Sequence, residues 1–136
     1  MSNHRQAAYA LLRVTLGVIF LTTGVVKFVI GIGNFAAALQ QEFAGKLPMV
    51  IVTPFAYVLP FVEVAVGVLL ALGLFNGIAL VIAGFLLMVL TFGKTAVNDS
   101  ATVAGNLSYV LIIFVLLWLV DYNGYSIDRI LHGSAD

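Results

Sequence analysis

Four long apolar stretches, separated by short polar breaks, run along this 136-residue chain. Each is close to the 20 or so apolar residues that a membrane-crossing helix needs. The first spans about residues 8–30 and the second about 54–75. "NG" at Asn76-Gly77 reads as a tight turn, after which the third runs over about 77–97. "NDS" at 98–100 is the next break, and the fourth runs over about 103–120. A polar tail, 121–136, follows, with room for one short amphipathic turn. The long connection, 31–53, contains "NFAAALQQEFAGKL", with Phe35, Leu39 and Phe43 at i, i+4 and i+8. That spacing gives one apolar helical face and predicts a short helix lying at the membrane interface, with an ordinary ordered loop as the alternative. The expected fold is therefore all-α: a single membrane domain, a four-transmembrane-helix bundle with a short interfacial helix between helices 1 and 2.

Polar residues inside the spans fall on shared faces. In the first span Arg13, Gly17, Phe20, Gly24, Lys27 and Gly31 are spaced 4, 3, 4, 3 and 4. Such a seam packs against another helix, and its glycines let a neighbouring backbone come close. The two cations thus belong to the packed face, about 21 Å apart along the axis at 1.5 Å per residue. The competing reading is that both side chains snorkel to the headgroups. In the second span Pro60, Glu63 and Gly67 stand at i, i+3 and i+7. Glu63 is near mid-span, where a charge costs at least a few kcal/mol. Protonation, pairing with Arg13 or Lys27, or a place on a cavity would each relieve that cost, and all three keep it inside the bundle.

The third span has Gly77, Gly84 and Thr91 at heptad spacing, followed by Lys94 and Asn98. The fourth has Asn106 and Tyr109 at i, i+3. These positions predict a cluster of Lys27, Lys94, Asp99, Asn106 and Tyr109 at one mouth of the bundle, or else separate interfacial anchors. Trp118 and Tyr122 suit an aromatic belt at the other end.

Composition strengthens the membrane reading. Hydrophobic residues make up 62% of the chain and charged residues 9%, against about 25% charged in soluble domains. Net charge is zero, so nothing invites nucleic acid. With no cysteine, disulfide, thiol and thiolate-metal chemistry are excluded for this chain. Its two histidines, His4 and His132, lie in polar ends, so no metal, haem or catalytic-triad site is expected from this chain alone. "GIGN" at 31–34 lacks the strand and spacing of a phosphate loop. The first apolar run is read as a retained helix rather than a cleaved signal, since Lys27 separates it from the small-residue run Ala36–Ala38. Four spans put both termini on one side. If that side is cytoplasmic, Arg5, Arg13 and Arg129 lie towards it and Lys27, Lys46 and Lys94 towards the other, a balance that leaves orientation to other evidence.

Arg13 with Gly17, then Gly24-x-x-Lys27, then Pro60-x-x-Glu63-x-x-x-Gly67, and finally Tyr125-Ser126-x-Asp128 occur in fixed order along the four spans. In these motifs, over about residues 9–130, the chain resembles the DoxX/DoxD-like family of small four-helix membrane proteins. Its tail departs from the family, reading "DYNGYSID" where a Gly-Pro-Gly-like turn is usual. The resemblance implies a multi-pass protein of a prokaryotic cytoplasmic membrane and a link to redox complexes such as thiosulfate:quinone oxidoreductase; the termini, on one side by the span count, are expected on the cytoplasmic side. On that basis a quinone is the candidate cofactor. Glu63 is the candidate proton-exchanging group, and Arg13, Lys27, Lys94, Asn106 and Tyr109 are candidate ligand-binding residues. Gly17, Gly24, Gly67 and Gly84 are the candidate helix-packing residues. The chain would be an enzyme only as the membrane subunit of a quinone-linked oxidoreductase. Expected partners are the lipid bilayer and other membrane or soluble redox subunits, or further copies of the chain. A non-catalytic scaffold or anchor is the second expectation. A small transporter, with Glu63 as coupling group, is the third.

Overall fold

In a computed structural model, residues 3–120 are described. Five helices follow one another: α1 (Asn3–Ile30), α2 (Ile32–Phe43), α3 (Met49–Leu72), α4 (Asn76–Ala96) and α5 (Ser100–Trp118), with no strand among the described residues. All but α2 are long and apolar enough to cross a membrane. The tail 121–136, with Tyr122, Tyr125, Ser126 and Asp128, lies outside the described residues.

The helix ends shift from those expected, each for a local reason. α3 begins at Met49, ahead of Pro54, and carries both Pro54 and Pro60 inside it. Proline marks a start in water, but spanning helices tolerate it because neighbouring groups re-satisfy the freed backbone. The helix closes at Gly73, which takes a left-handed φ of 71° while Leu74 N donates to Leu69 O at 2.9 Å. The turn is therefore Gly73–Phe75, and the Asn76-Gly77 pair opens α4 instead of making the turn. At the other break, Asp99 caps α5. Its Oδ1 accepts from Thr102 N at 3.3 Å and its Oδ2 from the Thr102 hydroxyl at 2.7 Å. Those bonds favour the ionised carboxylate and hold its pKa below the ordinary value. α5 thus starts at Ser100.

The connection 31–53 holds the expected helix, α2. Gly31 turns the chain out of α1 with φ 98°, a conformation costly for any other residue. α2 buries Ala36, Leu39 and Phe43 against Val52 and Ala56 of α3. Gln40 Nε2 ties it further by donating to Thr53 Oγ1 at 2.9 Å.

The main packing axis is the antiparallel α1–α3 pair. A Cβ on Gly17 would lie 2.6 Å from Ala71 N and 2.9 Å from Gly67 O. A Cβ on Gly24 would lie 2.7 Å from Val64 Cγ2 and 3.1 Å from Glu63 Cβ. The bare backbones meet there, as van der Waals association in lipid favours. α4 behaves differently. Its buried stripe is Asn76, Ala79, Leu80, Ala83, Leu86, Leu87 and Gly93. Gly84 is half-buried, and a Cβ on it would make only an ordinary contact with Ile113 Cγ2 at 3.9 Å. The close approach in α4 is at Gly93, under the ring of Phe43.

At the end holding the α3–α4 turn, Tyr9 fastens three helices. Its hydroxyl donates to Leu116 O at 2.8 Å and accepts from Asn76 Nδ2 at 2.7 Å. At the opposite end lie α2 and the α4–α5 turn.

Candidate functional site

Glu63 reaches the bundle interior from the middle of α3 and is 5% exposed. The α1–α3 register decides its neighbours. Gly24 faces Glu63, while Arg13 lies 11 residues further along α1, or about 16 Å at 1.5 Å per residue. Helical side chains lean towards the N-terminus of their helix. On α1 that lean carries Arg13 away from Glu63 and brings Lys27 back towards it. Lys27 Nζ stands 2.8 Å from Glu63 Oε1, as an ion pair outside hydrogen-bond alignment. The same ammonium donates to Thr23 O at 3.4 Å and lies 5.2 Å from the centroid of the Phe35 ring. Lys27 therefore points into the bundle and does not snorkel outwards. The Thr23 hydroxyl has two acceptors in reach for its one hydrogen, Phe20 O at 3.0 Å and Glu63 Oε2 at 3.4 Å.

Beside the carboxylate is a cavity of about 140 Å³, lined from all four spans. α1 gives Ile19, Phe20 and Thr23, α3 gives Glu63, α4 gives Leu87 and Leu90, and α5 gives Asn106 and Tyr109. A cavity of about 150 Å³ holds one benzene, so this one is the size of a single six-membered ring. Asn106 is only 9% exposed, yet its amide makes no hydrogen bond among the described residues. The Tyr109 hydroxyl makes none among them either. The site thus combines a carboxylate in an ion pair, an amide and a phenol with open hydrogen-bonding capacity, and apolar walls. Its lining is mostly apolar with a few convergent polar groups, as in ligand pockets, though its volume is below their usual range of about 300–1,000 Å³. Thr23 is exposed, and Ile19 and Tyr109 are half-buried, so the cavity opens sideways between α1 and α5.

The expected mouth cluster divides into three. Lys27, Asn106 and Tyr109 gather around Glu63. Lys94 instead pairs with Glu42 of α2. Asp99 turns to its capping role on α5. Arg13, 2% exposed, lies at the Tyr9 end of the bundle, apart from the Glu63 cavity. Four contributors were not foreseen. Thr23 precedes Lys27 by one turn, a spacing that could have flagged it. Tyr9 similarly precedes Arg13 by one turn on the packed face. Glu42 lay off the apolar face of the expected short helix with no role assigned, and Asn76 was read as a turn residue. Among the described residues no group of histidine, cysteine or acidic side chains is arranged to hold a metal ion.

No curated protein and no solved structure matched the chain. One family model matches residues 5–98, described as methylamine utilisation protein MauE. The matched stretch runs from the first turns of α1 to the end of α4, and so includes Arg13, Lys27, Glu63 and Lys94. By that match over more than half its length, this multi-helix membrane protein belongs to the MauE family.

Proposed function

We propose that the chain is the membrane subunit of a quinone-linked redox complex, of the DoxX-like kind, in the cytoplasmic membrane of a prokaryote, and that the Glu63 cavity receives a quinone ring. One observation carries this reading: the buried Asn106 amide, open to hydrogen bonding, faces a ring-sized space beside Glu63. A bound quinone would supply an acceptor for two electrons and two protons. Asn106 would donate its amide hydrogen to a ring carbonyl oxygen, and Tyr109 would offer its hydroxyl to the same ring. Glu63 would exchange protons with the bound ring, and Lys27, 2.8 Å from its Oε1, would hold the carboxylate in position. Phe20, Leu87 and Leu90 would exclude water. The electrons come from a partner redox subunit. The family's description is methylamine utilisation, and oxidising an amine carbon releases two electrons, which suits such a partner.

The scaffold reading has one observation in its favour, the Lys27–Glu63 pair itself, because an ion pair between spans can fix helix register. Solvent extraction of the protein purified in mild detergent separates the two. Quinone is expected to accompany the wild type and to be lost from Lys27→Met/Glu63→Gln, which removes the ion pair but leaves no net charge behind. Absence of quinone from the wild type, or its retention in the folded double variant, would favour the scaffold.

A further inference from the structure

A second cavity shares a lining residue with the first. It is a groove of about 140 Å³ between α2, the first turns of α3 and the last turns of α4. Leu39 and Phe43 line it from α2, Val52 and Phe55 from α3, and Phe92 from α4, with almost no polar surface. Leu90 lines both this groove and the Glu63 cavity. Lys94 stands at the groove, but its ammonium is paired with Glu42. The groove therefore offers no uncommitted cation to a phosphate or a fatty-acid carboxylate, and its chemistry suits an uncharged hydrocarbon.

We infer that the ligand of the Glu63 cavity carries a prenyl chain, and that the first part of this chain lies past Leu90 in the α2–α3–α4 groove. The inference rests on the quinone-ring reading of the cavity and adds the chain and its path. Three observations select this occupant. The groove and the ring-sized cavity have Leu90 as a common wall. Its walls are apolar and its one cation is neutralised. Its size matches about six carbons on the scale at which about 150 Å³ holds benzene, close to one isoprene unit. The other way out of the cavity, between α1 and α5, passes the hydroxyls of Thr23 and Tyr109 and is the poorer lining for an alkyl chain. That gap is the route by which the ring enters from the bilayer.

Photolabelling tests the path without a substitution that could disturb folding. The probe is a benzoquinone bearing one isoprene unit with a diazirine on that unit, added to the full-length protein in detergent and irradiated. Labelled residues are mapped by mass spectrometry, with and without excess tetramethyl-benzoquinone, which has no chain. The expected result is labelling at Phe43, Phe55 and Phe92, lost when the chainless competitor is present. Competitor-sensitive labelling at Ile19 and Tyr109 instead would overturn the path while leaving the ring site standing. Labelling that the competitor does not reduce at any position would overturn the ring site and this inference with it.

Discussion

Gly67→Ala is expected to abolish most of the stability of the bundle. A Cβ at this position would lie 2.7 Å from Leu21 Cα and 2.8 Å from Gly17 O. Both are backbone atoms of α1, so no rotamer change relieves the overlap. Overpacking that side chains can absorb costs about 1–3 kcal/mol. Here two spanning helices must separate along their crossing, and a loss of about 3 kcal/mol or more is expected. The change would also draw α3 away from Lys27, because Glu63 lies one turn from Gly67. Gly77→Ala and Gly105→Ala provide the contrast, since a Cβ at either site meets nothing within 4 Å. Thermal unfolding in detergent, followed by far-UV circular dichroism, should give a much lowered midpoint for Gly67→Ala and midpoints near wild type for the other two. Equal behaviour of all three variants would show that the glycine crossing is not where α1 and α3 meet.

Lys27→Met and Glu63→Met are each expected to destabilise the protein strongly, and the double variant hardly at all. The side chains of the pair are 18% and 7% exposed. Breaking a buried pair by removing one partner costs about 3–5 kcal/mol, because the remaining charge stays desolvated without compensation. Replacing both by apolar side chains of similar length removes that penalty, and such exchanges are often neutral or stabilising. The double-mutant cycle should therefore show strong coupling of the two sites. Additive losses would mean that Lys27 and Glu63 do not meet. The cycle also bears on function: if the double variant is as stable as the wild type, the pair is dispensable for folding and its retention calls for another role.

The four spans were legible because the bilayer imposes a length and a composition that few other constraints override. The seam of α1 was legible for a related reason: glycines and cations at alternating spacings of four and three share one helical face. What the residues could not specify was the register between helices. Whether Glu63 meets Arg13 or Lys27 depends on how far α3 slides along α1. That is set by the bare-backbone contacts at Gly17, Gly24 and Gly67. The lean of helical side chains then selects Lys27. Lys94 was assigned to the mouth cluster because its level in the membrane could be counted, but Glu42 could not be placed until α2 had folded back onto α3 and α4. Pro54 and Asn76 misled for opposite reasons. Proline's rule for helix starts comes from water, and Asn76, a turn former by habit, is 1% exposed and bonded to Tyr9. The polar residues of the cavity other than Thr23 were individually visible. Their convergence on one ring-sized space was not, since it takes all four spans to enclose it.

Binding of chainless tetramethyl-benzoquinone to the purified protein, compared between wild type and Asn106→Leu, tests the central claim most directly. Leucine matches asparagine closely in size, leaves the Lys27–Glu63 pair intact and removes only the amide that faces the cavity. The wild type should bind saturably. Asn106→Leu should bind about tenfold more weakly or worse, the loss of about one hydrogen bond to the ring, with an unchanged or raised unfolding midpoint. No saturable binding by the wild type, or equal binding by the variant, would contradict a ligand site at Glu63.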